Sequence, residues 1–249
     1  MKAKCSIMVM AALVLTAFSV PVYAGKTDSR IESSARQSYV FKTYLKNDDI
    51  KFQSSDGVVT LTGTVAEDSH KSLAQETVAG LPGVTSVDNQ LEVKGESPAE
   101  KSDAWLSAKV KTSLLFHRNV STLTEVSTKD GIVTLRGTAS SQAEKELTTE
   151  YVKDVEGVRY VNNDMTVTTS ATTPRTAGET IDDASITALV KMTLLYHRST
   201  SALNTSVTTN KGEVTLTGKA RNGAEKDLAT KLAGDVRGVK GIRNLMSIE

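Results

Sequence analysis

The sequence predicts an α+β protein made of three tandem small αββαβ domains, each with two helices packed on one face of a three-stranded mixed sheet. Three observations lead there. A Gly-x-Val-Thr-Leu-x-Gly signature occurs three times, as Gly57 to Gly63, Gly131 to Gly137 and Gly212 to Gly218. A second landmark, Gly-Val, recurs at Gly83-Val84, Gly157-Val158 and Gly238-Val239, with the same offsets of 74 and 81 residues. Between the landmarks, hydrophobic spacing alternates between the helical and the strand period. Two landmarks that keep one spacing mark a tandem repeat, and the period exceeds the ~20–50 residues of a solenoid unit. Each copy therefore reads as a small domain with its own core.

The chain opens with a segment of export type. Lys2 and Lys4 precede an apolar run from Ile7 to Val20, and Val22-Tyr23-Ala24 offers a cleavage site, so residues 1–24 are expected to be a signal peptide. The apolar run is shorter than the ~20 residues a spanning helix needs. Cys5, the only cysteine, lies in this segment, so the mature chain is expected to carry no disulfide and no thiolate site. Without Lys2 and Lys4 the chain holds 28 basic against 29 acidic residues. Repeat by repeat the balance runs from −4 over 25–100, through zero over 101–168, to +3 over 182–249. A dedicated nucleic-acid binder carries a strongly basic domain, and no repeat qualifies.

The organisation follows from composition. Repeat 1 is assigned to 25–94, a linker to 95–101, repeat 2 to 102–168, a Thr- and Ala-rich linker with Pro174 to 169–181, and repeat 3 to 182–249. A helix opens each copy. Leu106, Val110 and Leu114 in repeat 2, and Ile186, Val190 and Leu194 in repeat 3, share a helical face. Repeat 1 gives a weaker stripe of Ile31, Ala35 and Tyr39, continued by Tyr44-Leu45. Asp103 and Asp183 stand near helix starts, where a short acid can cap free amides.

A hairpin comes next. Strands through Phe52, Val126 and Val207 turn at Asp56-Gly57, Asp130-Gly131 and Lys211-Gly212, and Asp-Gly is a strong two-residue turn signal. On the returning strand Val59/Leu61, Val133/Leu135 and Val214/Leu216 should face the core. Val58, Ile132 and Glu213 should lie on the open face, because one position tolerates both an aliphatic and an acid. Gly63, Gly137 and Gly218 are expected where this strand leaves the sheet. The second helix carries Leu73/Thr77/Leu81, Leu147/Tyr151/Val155 and Leu228/Leu232/Val236, and Gly83, Gly157 and Gly238 are expected to end it. A final strand holds Val87/Leu91, Val161/Met165 and Ile242/Met246.

This helix–hairpin–helix–strand unit, with its Gly-x-Val-Thr-Leu-x-Gly strand and Gly-Val…Asn ending, resembles the BON domain. The resemblance covers nearly all of the mature chain. It implies periplasmic residence, contact with phospholipid surfaces, a part in envelope integrity or osmotic-stress tolerance, and no known catalysis. No single ligand motif of the family carries over residue by residue.

The residues themselves supply little reactive chemistry. His117 and His197 occupy equivalent places, in Leu-Leu-Phe-His117-Arg118 and Leu-Leu-Tyr-His197-Arg198; His70 does not. The pair reads either as a ligand or pH-sensing pair or, more plainly, as a cation at a helix C-terminus. The acids are scattered, and no phosphate-binding glycine loop is present. No catalysis, cofactor or metal is expected. Asn89, Asn163 and Asn244 recur two residues before a core side chain and are expected to be structural, bonding the backbone. Two surfaces are candidates for lipid contact. One is the first helix of repeat 2, with Trp105, Lys109 and Lys111; the other is the basic surface of repeat 3, with Lys219, Arg221, Lys240 and Arg243. The expected partner is a phospholipid membrane surface, met peripherally. The alternative is a chaperone-like or protein-interaction module for envelope proteins.

Overall fold

The computed structural model describes residues 23–95, 102–120, 124–168, 180–200 and 204–249. The expected signal segment thus lies outside the described residues, except that the first helix already includes Tyr23 and Ala24.

Each repeat has the expected αββαβ order. Repeat 1 runs through α1 (Tyr23–Gln37), α2 (Tyr39–Thr43), β1 (Asp49–Ser55), β2 (Val58–Val65), α3 (Asp68–Ala79) and β3 (Ser86–Val93). Repeat 2 runs through α4 (Asp103–Phe116), β4 (Glu125–Lys129), β5 (Ile132–Arg136), β6 (Thr138–Ala139), α5 (Gln142–Lys153), β7 (Tyr160–Asn163) and β8 (Thr166–Val167). Repeat 3 runs through α6 (Asp183–Tyr196), β9 (Thr205–Asn210), β10 (Glu213–Ala220), α7 (Gly223–Gly234), β11 (Gly241–Asn244) and β12 (Ser247–Ile248). In each sheet the returning hairpin strand is central. It pairs antiparallel with the strand before it and parallel with the last, as in β1-β2-β3. The parallel crossover is made by the second helix, as geometry requires. The three turns place both central residues at positive φ, 51° and 79° at Asp56-Gly57, which is the type I′ geometry that matches strand twist. Val59, Leu61, Val133, Leu135, Val214 and Leu216 are fully buried, while Val58, Ile132 and Glu213 face outward.

Several elements differ from the sequence reading. The first helix of repeat 1 breaks at Ser38, and its weak stripe is divided between α1 and α2. Gly63 and Gly218 do not end their strands but sit within β2 and β10, at φ +118° and +120°; a Cβ there would overlap the Asp49 or Asn204 carbonyl. Only at Gly137 is the strand interrupted. Gly83, Gly157 and Gly238 are not helix caps either. The helices stop four residues earlier, and these glycines lie in the turn that leads into the last strand.

The largest difference concerns the core. Repeat 2 has its own apolar cluster around Leu106, Val110, Val133, Leu135 and Met165. Repeats 1 and 3 do not. They share one continuous cluster, into which Phe116 of repeat 2 also inserts. The cause is α6, whose residues Ala184 to Val190 are all buried, with Met192 to Leu194 beyond them. A helix apolar on every side must be covered on every side. It packs on its own sheet with one face and against α3 of repeat 1 with another. Small residues permit the approach: a Cβ on Gly80 would stand 3.2 Å from the Ala184 Cα. Polar bonds fix the register. Asp182 Oδ2 accepts from the Tyr39 amide at 2.7 Å, Ser185 Oγ accepts from the Val40 amide at 3.1 Å, and Lys191 pairs with Glu76 at 2.7 Å.

Leu189 is fully buried in this shared cluster. Leu189→Ala should cost about 2–5 kcal/mol. Native-state hydrogen exchange should show lost protection in the strands of repeat 1 as well as repeat 3; loss confined to repeat 3 would mean that the two cores are energetically separate.

Candidate functional site

Two regions gather polar and aromatic side chains: the hairpin end of repeat 2, and the junction where repeats 2 and 3 meet.

At the hairpin end, Ser102 Oγ caps α4 by accepting from the Trp105 amide at 3.2 Å. Asp103 is not the cap. Its carboxylate reaches across the domain and accepts from the turn amides of Asp130 and Gly131, at 2.7 and 3.0 Å. Asp183 accepts in the same way from Lys211 and Gly212, and Asp28 from Asp56 and Gly57. The acid is thus a clamp between helix start and hairpin, repeated three times. These bonds hold the Asp103 carboxyl below the usual carboxylate range, and for Asp28 the Ser54 hydroxyl contributes most. Around the clamp in repeat 2 lies a groove of about 550 Å³, bordered by half-buried Trp105 and exposed Asp130, Glu156 and Arg159. On the open sheet face beside it, register pairs Lys129 with Ile132 and Ile132 with Tyr160. Ile132 is 41% exposed and Tyr160 62%.

The sequence-nominated residues fall into different settings. Trp105 lines the groove, but Lys109 is buried, with its ammonium 4.8 Å from the Trp105 ring, 5.5 Å from the Tyr196 ring and 3.2 Å from Glu156. It therefore belongs to the interior rather than to a lipid-facing surface. Lys111 is exposed on α4. In repeat 3, Lys240 and Arg243 are exposed, Lys219 stands 3.6 Å from Glu249, and Arg221 forks onto buried Glu225. Arg243 pairs in register with Thr215 on the open face. Lys219 projects from that face too, and Leu245 beyond it is 59% exposed.

The three asparagines make one bond pattern. Asn163 Nδ2 donates to the Lys145 carbonyl at 2.8 Å and to Thr149 Oγ1 at 2.7 Å, and its Oδ1 accepts from the Met165 amide at 3.0 Å. Asn244 repeats this with Lys226, Thr230 and Met246, and Asn89 with Lys71, Gln75 and Leu91. Each ties the second helix to the last strand.

The junction was not legible in the sequence. The ends of α4 and α6 and the turns after α5 and α7 meet about a local two-fold. His117 bridges to Val236, and His197 to Val155. The Arg118 amide donates to the Asp235 carbonyl at 3.1 Å, and the Arg198 amide to the Asp154 carbonyl at 3.0 Å. The guanidinium of Arg118 donates to the carbonyls of Gly234, Val236 and Val239, and that of Arg198 to those of Val155 and Val158. Helix C-termini and turns leave carbonyls unpaired, and here arginines of the neighbouring repeat satisfy them. The ring of His117 stacks on Tyr151 at 3.7 Å and 7°, and the Tyr151 hydroxyl donates to Asp235.

Both histidines lie at helix C-caps, as the plainer reading placed them, but they do not act there as cations. His117 is 2% exposed, and burial pushes its pKa down to about 4 against the attraction of Asp235. Burial lowers His197 as well. Among the described residues, no group of three or more His, Cys, Asp or Glu is placed to hold a metal, and no helix is long and apolar enough to cross a membrane.

Comparison with known proteins agrees with this architecture. The BON domain family model matches three times, over residues 27–95, 102–169 and 182–249. Osmotically-inducible protein Y of Escherichia coli (strain K12) is 33% identical over 143 residues, 55% of this chain and 71% of that protein. Two solved structures of CdsD, a structural protein of the type III secretion system of Chlamydia trachomatis, align over 88% of the chain at 16% identity, with TM-scores of only 0.25 and 0.24.

Replacing Asn163 by Leu removes two donors and one acceptor from the partly buried seam between α5 and β7. It should cost about 1–3 kcal/mol, read as a lower Tm in thermal unfolding. An unchanged Tm would show that the amide bonds contribute nothing. Asp103→Asn should also lower Tm at neutral pH, with the difference from the parent chain closing as pH falls below the ordinary carboxylate range. The parent's clamp requires the ionised acid, and its stabilisation is lost as pH drops through the depressed folded-state value.

Proposed function

The chain belongs to the BON domain family, and from that premise we propose that it is a non-enzymatic periplasmic protein of the osmotic-stress response that meets envelope phospholipid surfaces peripherally. The relative named for osmotic inducibility supports the physiological half of this reading. One structural observation supports the lipid half: the open sheet faces carry outward apolar side chains next to cations. In repeat 2 these are Ile132 and Tyr160 beside Lys129, with Trp105 and Arg159 at the adjoining groove. In repeat 3 Leu245 accompanies Lys219 and Arg243. Aromatic rings suit the lipid–water boundary, and a basic residue near an anionic surface contributes about 1 kcal/mol. Groups of both signs, Asp130 and Arg159, border the groove, an arrangement compatible with a headgroup that itself carries both charges.

The full chain should cosediment with vesicles containing anionic phospholipid and release as salt rises. Tyr160→Ser combined with Leu245→Ser should reduce retention several-fold while leaving Tm within a few degrees. Retention on no vesicle composition would overturn the reading. A second reading, a holder of unfolded envelope proteins, draws on the exposed edge strand β1. It predicts suppressed aggregation of an unfolded outer-membrane protein with no lipid present.

A further inference from the structure

The junction between repeats 2 and 3 is built around two imidazoles that the proposed lipid contact does not use. His117 and His197 stand in equivalent positions about the local two-fold, beside a cavity of about 10 Å³ lined by Ser113, Tyr151, Asp154, Thr193 and Tyr196. That volume is at the lower limit for one water. His117 Nδ1 and His197 Nε2 are buried and lack hydrogen-bond partners. Asp154 stands 3.5 Å from His197 Nε2, too distant for a good bond. Nδ1 of His197 accepts from the Ser199 amide at 3.1 Å, which assigns the neutral ring's proton to Nε2.

We propose that His117 and His197 form an acid-operated latch: neutral, they let repeat 2 close on repeat 3, and protonated, they part the two repeats. The geometry carries the argument. A protonated His117 would be an imidazolium sealed in the junction, with its ring flat against Tyr151 and one N–H unpartnered. The groups that face the pair come from every packed element. Tyr151 and Asp154 come from α5 and its cap, Asp235 from the cap of α7, and Tyr196 from the end of α6; Arg118 and Arg198 follow the two histidines. Two guanidiniums are therefore already present, and Asp235 is shared with the Tyr151 hydroxyl. Asp154 and Asp235 favour the charged rings, but burial outweighs them, so two more cations in this space raise the cost of closure. Repeat 2 keeps its own core, so opening would withdraw only Phe116 and its neighbours from the shared cluster, while repeats 1 and 3 stay joined through α3 and α6.

The sign of the pH effect follows from the depressed folded-state value. Closure is fully favoured above the ordinary histidine pKa near 6.5 and weakens as pH falls from there toward about 4. For His117 alone the opening equilibrium should rise about 20-fold between neutral pH and pH 5.

The experiment uses the full mature chain. Small-angle scattering and the emission of its one tryptophan, Trp105, whose neighbour Lys109 contacts Tyr196 across the junction, are followed from pH 7.5 to 4.5. The expected result is an increase in radius of gyration and a shift in emission, with helical circular dichroism unchanged. A His117→Phe/His197→Phe double variant, which keeps ring contacts without titrating, should stay closed over that range. An equal acid transition in the double variant would assign the change to carboxylates and overturn the latch. So would a parent chain that keeps its dimensions down to pH 4.5. Should the double variant fail to fold, proton NMR titration of the parent's three histidines decides: His117 titrating near 6.5 without a change in dimensions refutes the proposal, and uptake coincident with expansion supports it.

Discussion

The structure depends on the burial of α6 from all sides. A three-stranded sheet with two helices covers one stripe of each helix, and in repeat 2 that suffices for Leu106, Val110 and Leu114. In repeat 3 the first helix has almost no polar face to turn outward, since residues such as Ala188, Leu189 and Met192 add to the usual stripe of Ile186, Val190 and Leu194. Those additional residues must be covered by another part of the chain. Repeat 1 provides the cover through α3, and repeat 2 contributes Phe116. A family module has here become part of a larger unit because one helix carries more apolar surface than its own sheet can bury.

The same logic explains why the three copies are not alike at the end of the first helix. His-Arg follows the helix in repeats 2 and 3, and these two copies meet head to head about a two-fold. Each lends a guanidinium to the other's unpaired turn carbonyls. Repeat 1 has Lys42-Thr43 at the corresponding place and uses its chain there differently: it breaks at Ser38 and offers the Tyr39 and Val40 amides to Asp182 and Ser185. A self-complementary surface can close only a pair, so a third copy needs a different docking element. The sequence difference at one dipeptide and the helix break thus have one geometric origin.

Much of the fold was legible because it is local. The alternation of Val59 and Leu61 with Val58, the turn at Asp56-Gly57 and the 74- and 81-residue offsets each report short-range constraints that act within one repeat. What escaped were long-range or bifunctional roles. Asp103 looks like a cap because it stands at a helix start; only the fold brings the hairpin amides of residue 130 and 131 within its reach. Gly63 looks like a strand end because glycine usually weakens strands, whereas the close approach of the Asp49 carbonyl is what excludes a side chain. Lys109 reads as a surface cation until Glu156 and two aromatic rings enclose it. The histidines read as cations for the same reason: the sequence places them at a helix end but cannot place the second repeat that seals them in. The repetition of His-Arg in two copies was the one available signal of that contact.

Fusion changes how three modules act on a surface. Weak sites on flexible linkers gain avidity through effective concentration, which falls as the tether lengthens. Sites held by packed interfaces gain more when their geometry matches the target and nothing when it does not. In the closed chain the open faces of repeats 2 and 3 are related by a two-fold and by bonded backbone, so the patches around Tyr160 and Leu245 have one fixed relation. For the proposed lipid contact, that rigidity would favour a surface of particular shape or curvature over a generic one. Parting the repeat 2–3 junction would replace a fixed pair of patches by two independently oriented ones, relaxing the shape requirement. In the proposed lipid contact, shape selectivity would therefore be set through a single interface, and the side chains that hold it closed stand outside both patches.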